Sequence, residues 1–461
     1  MEIEKKKNNK FLLGIIITIC GLVVVYLGTS LYFVNHFNRG SKINSIDVSG
    51  KTIEEADNEI MSKINSYELS LKGRNGVKDK ITADDINLQC DLKGRLEQIK
   101  NNQNSLAWIG SFFKDNNTNI SDIMTYDDEK LDKVLENLSA MSAENVVEPK
   151  NASIKYENGA YEIVDEVKGC KLNKAFLKSA VSEAIRKGEE NIDLDESNCY
   201  EIPQYTSRSK EVNDAKDLMN GYLSSKITYN FIGGDETIDA SIINEWLSVD
   251  SNYNVNIDEN KIKKYIGTLS KKYNTVGKTR QFKTTGGQTV SVSGGDYGNK
   301  VDISKESDYL VEAIKNKTVE NKEPKYSQKS MASGDNDIGN TYVEVSLSGQ
   351  HLWFYKNGSL ITEGPVVTGN ISNGTGTPSG TYKLDYKERN ATLKGEGYST
   401  PVSFWMPFNG GIGIHDATWR GSFGGNIYVS GGSHGCVNAP YDLANTIFNN
   451  IDAGTPVVCY Y

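Results

Sequence analysis

Positive charge is in short supply in this 461-residue chain: 51 Lys and Arg face 60 Asp and Glu, for a formal net charge of -9 and a pI near 5.3. A phosphate-binding surface needs clustered cations, and no basic stripe lies beyond the N-terminus, so no nucleic acid is expected as a partner. Cysteine is scarce too, six in all, which excludes a disulfide scaffold for an exported chain. Cys170 and Cys199 could still pair, or serve as small buried hydrophobes. Histidine is rarer, with four. The 25 residues after Cys436 contain no His, Arg or Lys, so any base for that sulfur must come from upstream.

What is abundant is apolar length near the start. Phe11 to Val34 carries no charge and reaches about 36 Å at the helical rise, enough to cross a hydrocarbon core. Lys5, Lys6, Lys7 and Lys10 precede it, against Arg39 and Lys42 behind, which predicts a cytoplasmic N-terminus with the rest outside the cell membrane. A cleaved signal peptide is the competing reading; the run exceeds the usual core of about 7–15 residues and no A-x-A-like site follows. Cys20 suggests a lipoprotein, but Ile19 before it is too large for that processing site, and an apolar membrane cysteine is the better account.

With 37% hydrophobic content, the chain is long enough for two to four domains. From Ile43 to about Pro324, β-type runs alternate with amphipathic helices, an α+β pattern. One helix carries Leu131, Val134, Leu135, Leu138 and Met141 behind Asp127 and Asp128. A second runs from Asn173 to Gly188, and a third follows Asp258 with Ile262, Tyr265, Ile266 and Leu269 on one face. An internal repeat is also visible: residues 81–87 (ITADDIN) match 238–244 (IDASIIN) at four of seven positions, each after a β-like stretch, which suggests two related modules, about 43–205 and 206–326. Residues 327–340 are polar and aperiodic, and read as a linker. From Thr341 the character changes to alternating and aromatic runs, with Asn357-Gly358 as a hairpin turn, and an all-β domain of about 120 residues is expected.

Chemistry concentrates between His415 and Asn438 (HDATWRGSFGGNIYVSGGSHGCVN). A thiol is mostly protonated near neutral pH and needs an adjacent imidazole to become a nucleophile. His415, His434 and Cys436 supply the parts, while Gly431, Gly432 and Gly435 let the backbone aim N–H groups at one oxygen. A lone His beside a Cys is most often structural, but this combination in a glycine-rich loop of an exported chain favours a site. Zinc is the rival chemistry, with His415, His434, Cys436 and Asp416 as ligands; the His-x-Cys spacing is awkward and no C-x-x-C or H-x-x-x-H partner exists, so no metal and no cofactor are expected. Papain-like enzymes place the histidine after the cysteine and sortases use a later arginine; neither order occurs here.

The segment resembles the L,D-transpeptidase (YkuD-type) signature, a His followed at some distance by Ser/Thr-His-Gly-Cys-hydrophobic-Asn. Here 17 residues separate His415 from Ser433-His434-Gly435-Cys436-Val437-Asn438. Residues 342–358, 366–369 and 377–382 look like the family's opening strands, and residues 43–56 and 156–169 are similar to peptidoglycan-binding modules of Gram-positive members. The resemblance implies a multidomain chain: a cytoplasmic tail (1–10), a transmembrane anchor (11–34), α+β modules (43–326), a linker (327–340) and a mostly-β, sandwich-like catalytic domain (341–461). It implies Cys436 as nucleophile, His415 as general base, the backbone near Asp416 orienting the imidazole, and N–H groups of His434, Gly435 and Cys436 as oxyanion hole with Ser433 shaping the loop. Asp416 departs from the glycine found in many members, and its carboxylate would shift the dyad if it reached His415. Trp419, Arg420 and Asn438 are candidate substrate contacts. The expected reaction transfers a donor tetrapeptide stem to an acceptor amine of a neighbouring peptidoglycan stem, giving a 3→3 cross-link, with carbapenems as acylating inhibitors. A carboxypeptidase using the same site and a non-catalytic wall-binding scaffold are the alternatives.

Overall fold

The computed structural model describes residues 2–90, 92, 94–113, 116–118, 124–334, 336–395 and 398–461. The chain forms two compact units, one of residues 1–153 and 164–209, the other of 154–163 and 210–461.

In the first unit, helix α1 (Glu2–Asn35) contains one stretch, Asn9–Asn35, long and apolar enough to cross a membrane, whose most apolar window is unburied; Ser30 and Phe33 near its end are buried. Helix α2 (Ile53–Asn65) starts at a capping box, in which Thr52 Oγ1 accepts from Glu55 N–H and the Glu55 carboxylate accepts from Thr52 N–H. The hairpin β1 (Glu68–Lys72) and β2 (Lys78–Thr82) follows, then α3 (Asp128–Glu136) and α4 (Lys174–Lys187). Strand β3 (Asn191–Asp193) then returns parallel to β1. Asn173 caps α4 through Ala175 and Phe176 N–H, and left-handed Gly188 ends it, as the sequence predicts. Cys170 and Cys199 are both buried and unbridged; their thiols turn to the carbonyls of Asn145 and Ser197 instead.

The second unit repeats this plan. Helix α5 (Lys210–Leu223) leads to the hairpin β4 (Lys226–Phe231) and β5 (Gly234–Ile238). Helices α6 (Glu259–Tyr273) and α7 (Ile303–Lys315) then carry the chain to β6 (Val319–Lys322), parallel to β4. Both three-stranded sheets place the first hairpin strand in the middle, and a parallel return of that kind needs a helical crossover. The matched isoleucines explain the sequence repeat: Ile81 and Ile86 in the first copy, Ile238 and Ile243 in the second, are fully buried where the hairpin turns under its own sheet.

Beyond them lies a two-sheet domain. One sheet has the order β9-β8-β7-β15-β10, built from β7 (Tyr342–Ser346), β8 (His351–Lys356), β9 (Ser359–Pro365), β10 (Gly380–Lys383) and the C-terminal β15 (Pro456–Tyr460). The other has the order β11-β12-β13-β14, from β11 (Glu388–Gly395), β12 (Tyr398–Asn409), β13 (Ile412–Asp416) and β14 (Val437–Ala439). Val343, Val345 and Phe354 of the first sheet meet Phe404, Met406 and Ile414 of the second in one core. Asn357 and Gly358 both take positive φ between β8 and β9, as a two-residue hairpin turn demands. The expectation of an all-β domain is corrected by helix α8 (Tyr441–Asn450), whose Leu443, Ala444, Ile447 and Phe448 face that core; their helical spacing is legible in the sequence.

The stretch expected to be a linker is packed in its described parts; residue 335 lies outside the described residues. Tyr326–Gln328 pairs with Lys300–Val301. Asp337 forms a buried, two-pronged ion pair with Arg280, at 2.6 Å to Nε and 3.0 Å to Nη2. Ile338 joins Phe282, Val292, Tyr297 and Val458 in a small core. Polar composition signalled a tether, but Asp337 within it meets a buried guanidinium that is distant in sequence.

Candidate active site

The parallel pairing of β13 with β14 sets His415 opposite Asn438, and the antiparallel pairing of β12 with β13 sets it opposite Trp405. Facing pairs project to the same side of a sheet. Ile414 and Val437 therefore enter the core, while Trp405, His415 and Asn438 share the other face. Cys436, two residues before Asn438, packs beside Ala391, Val402 and Trp405 on that face. The sequence thus brings imidazole, amide and thiol together by strand register.

Their hydrogen bonds define the imidazole's protonation. Arg420 Nε–H, which can only donate, gives to Asn438 Oδ1 at 2.8 Å. That leaves the Asn438 Nδ2 donor facing His415 Nε2 at 2.9 Å. The acceptor-only carbonyl of Asp416 lies 2.9 Å from His415 Nδ1. The ring is therefore the Nδ1–H tautomer, with its lone pair at Nε2. Among the described residues no hydrogen bond joins the thiol to this ring; Cys436 Sγ donates to the Gly411 carbonyl at 3.6 Å. Burial holds His415 below the ordinary histidine range, opposed by the Asp416 carbonyl. Burial also pushes the Cys436 thiol up, with the Gly413 main chain partly offsetting it. Both shifts favour a neutral imidazole and a neutral thiol over a preformed ion pair.

Asp416 has two separate jobs. Its carbonyl orients the imidazole, while its carboxylate accepts from the N–H groups of Ser403 and Phe404 at 2.8 and 2.9 Å. The carboxylate is spent on β12 and makes no hydrogen bond to the ring.

The loop before Cys436 is braced from inside and outside. Ser433 Oγ donates to the Cys436 carbonyl at 2.6 Å and accepts from Gly435 N–H at 3.1 Å. Thr377 Oγ1 donates to the Gly435 carbonyl at 2.6 Å, and Gly435 sits at φ +123°, where a side chain is strained. Gly432 presses against the chain at Asn370; a Cβ there would lie 2.5 Å from Asn370 N. Val367 exchanges two main-chain bonds with Asn438, both 2.9 Å. The Gly435 N–H is thus occupied by Ser433 in this conformation. His434 has an exposed side chain.

Of the candidate substrate contacts, Trp419 stands half exposed with its ring 5.8 Å from that of His415. Asn438 is buried, with both amide atoms engaged, and Arg420 is tied to it and to the Gly431 carbonyl; these two belong to the frame around the histidine. Sequence reasoning missed Thr377, Thr368 and Asn370, which clamp the loop. Only the resemblance at 366–369 and 377–382 pointed to their neighbourhood.

A two-sheet β domain presenting a buried imidazole, an amide and a cysteine on one face defines the class. The family model described as the L,D-transpeptidase catalytic domain matches residues 340–459, and that of a peptidoglycan binding domain matches twice, at 80–193 and 205–321. The chain belongs to the L,D-transpeptidase family with a YkuD catalytic domain and peptidoglycan-binding-type modules. Among solved structures, an Enterococcus faecium L,D-transpeptidase in a cysteine-to-serine form is 33% identical, covering 54% of this chain and all of its own, with a TM-score of 0.45. The catalytic domain of the E. faecium enzyme acylated by ertapenem is 41% identical over 26% of this chain and 97% of its own, with a TM-score of 0.25. An L,D-transpeptidase from Mycobacterium tuberculosis is 22% identical over 26% of this chain and 58% of its own, with a TM-score of 0.24. No curated protein matches.

Proposed function

We propose that this chain is a membrane-anchored peptidoglycan L,D-transpeptidase that forms 3→3 cross-links through an acyl-enzyme on Cys436. The observation that carries the reading is the shared face of Cys436 and His415, with the histidine's base nitrogen unprotonated. In the first step His415 Nε2 turns from the Asn438 amide to take the thiol proton, and the sulfur attacks the carbonyl of the third residue of a donor tetrapeptide. The imidazolium returns that proton to the departing D-alanine amine, leaving a thioester. An acceptor amine then attacks the thioester, and its proton passes through His415 back to sulfur. Main-chain N–H groups of residues 434–436 stabilise the oxyanion once Ser433 releases Gly435, and Trp419 walls the substrate groove. Such donors contribute about 3–4 kcal/mol in a transition state.

Helix α1 would anchor the chain with its N-terminus in the cytoplasm, and the two upstream modules would hold glycan or stem peptide in the wall. Carbapenems would acylate Cys436, since their strained amide presents a carbonyl to the same sulfur. The test uses full-length protein with defined muropeptides: wild type yields cross-linked dimers and released D-alanine, while Cys436→Ala yields neither and keeps its melting transition. Cross-linking by Cys436→Ala ends the nucleophile assignment. Tripeptide without dimers identifies a carboxypeptidase instead, and an unreactive wild type that still binds sacculi identifies a scaffold. Intact mass after meropenem should show one adduct on wild type and none on Cys436→Ala.

A further inference from the structure

Helix α1 has a companion within its own unit. Residues Ser105–Phe112 form a 3₁₀ segment whose two ends are tied to the chain just beyond the helix. Gln103 Oε1 accepts from Asn38 N–H at 2.9 Å, and the Arg39 guanidinium lies 4.6 Å over the Phe112 ring. Between these ties the segment runs back along the helix. Tyr26 Oη donates to the Leu106 carbonyl at 2.5 Å, and the Trp108 ring lies 6.0 Å from that of Tyr26 and 6.2 Å from that of Phe33.

Tyr26 sits eight residues before Val34, the end of the uncharged run, which is about 12 Å along the axis. One leaflet of hydrocarbon is about 15 Å thick. A segment that touches both Tyr26 and Arg39 therefore spans the outer leaflet from its interior to its headgroups, if α1 crosses the bilayer. Its side chains suit that depth. Leu106, Ile109 and Phe112 are each about half exposed and Phe113 is 86% exposed, in a stretch without a charge from Asn104 to Phe113. Four large apolar groups presented to water from one short segment would be costly, at roughly 25 cal/mol per Å². The same groups in lipid are solvated. Backbone carbonyls at that depth need partners, and the tyrosine hydroxyl supplies one to the carbonyl of Leu106.

We infer that residues 105–113 form a shallow re-entrant element inserted into the outer leaflet beside α1, so that the first module is held directly on the bilayer rather than swinging from the helix. Two signals then anchor the module, the helix and an aromatic-aliphatic loop, with Arg39 at the depth such residues favour. The inference rests on the membrane-spanning reading of α1, and its test separates the two.

Full-length protein is reconstituted in vesicles of phosphatidylglycerol and phosphatidylethanolamine, carrying photoreactive benzoylphenylalanine at one site at a time: Leu22 in α1, Ile109 or Phe113 in the loop, and Phe176, an exposed apolar side chain on α4. After irradiation, lipid adducts are counted by mass spectrometry. The expected yield at Ile109 and Phe113 approaches that at Leu22 and exceeds that at Phe176 by about tenfold. Adducts at Leu22 without adducts at the two loop sites overturn the inference and leave the anchor standing. Absence of adducts at Leu22 removes both. Protein–protein dimers from the loop sites also overturn it, by showing a second copy as the occupant.

Discussion

The proton on His415 is placed by a residue that bonds neither the ring nor the sulfur. Arg420 fixes which end of the Asn438 amide faces the ring, and the Asp416 carbonyl takes the other nitrogen. Arg420→Leu frees the amide to rotate and removes a cation that depresses the imidazole. The expected result is a loss of about tenfold to a hundredfold in kcat/KM, with the acid limb of the pH profile moving upward. Arg420→Lys does not restore the rate, because one ammonium cannot match the planar fork that meets both Asn438 and Gly431. A merely structural role would lower the rate and leave the acid limb in place. The limb itself belongs below pH 6.5 in the wild type, since burial lowers the His415 value from there. The thiol shifts the other way. Alkylation of Cys436 by iodoacetamide should rise with pH through a midpoint above the ~8.5 of a free thiol, because burial raises the sulfur; a midpoint well below that value would reveal a preformed ion pair instead.

At the scale of elements, the five-stranded sheet that backs the site-bearing sheet is completed by the C-terminal strand. Strand β15 lies between β7 and β10, and Val457, Val458 and Cys459 are fully buried. Val458 also meets Phe282 and Ile338 beneath the sheet. Truncation after Asp452 removes an interior strand and leaves two rows of main-chain groups unpaired, so the domain should lose its cooperative melting transition and near-ultraviolet circular dichroism. The same reasoning makes the loop before Cys436 dependent on residues 366–377. These residues bond it through Thr368, Asn370 and Thr377 and are separated from it by four intervening strands.

Over the molecule as a whole, the second module and the catalytic domain are joined by contacts as well as by sequence. Arg280 and Asp337 are each 3% exposed, and Thr285 N–H donates to both Glu344 oxygens at 3.0 and 3.1 Å. Removing one member of a buried pair strands the other charge, at a cost of about 3–5 kcal/mol. Arg280→Ala should therefore lower the melting temperature of the second unit by many degrees. If this contact holds the two parts in one block, wild type melts in one transition and the variant in two. An unchanged single transition in Arg280→Ala would show that the apolar contacts around Phe282 and Ile338 suffice.

Some of this was readable in the residues alone, because its causes are local. The cap at Asn173 and the glycine at 188 located one helix within a residue of its observed limits, the cap at Asp258 located the start of another, and Asn357-Gly358 specified its hairpin. A four-in-seven match between 81–87 and 238–244 pointed to the repeated module, since the same isoleucines plug the same turn. The His-to-Cys signature pointed to the candidate site, and the order of the two residues argued against rival cysteine enzymes. The Thr52–Glu55 capping box and the stripe of α8 were equally local signals. What only the tertiary structure decided depends on partners far apart in the chain. The spacing of His415, Arg420 and Asn438 does not say which nitrogen of the ring is unprotonated. That follows from a parallel strand register and an arginine reaching across it. Composition likewise cannot show that Asp337 meets Arg280, or that the carboxylate of Asp416 turns away from the histidine beside it. Side-chain direction and pairing are set by packing, and packing is a property of the assembled sheets.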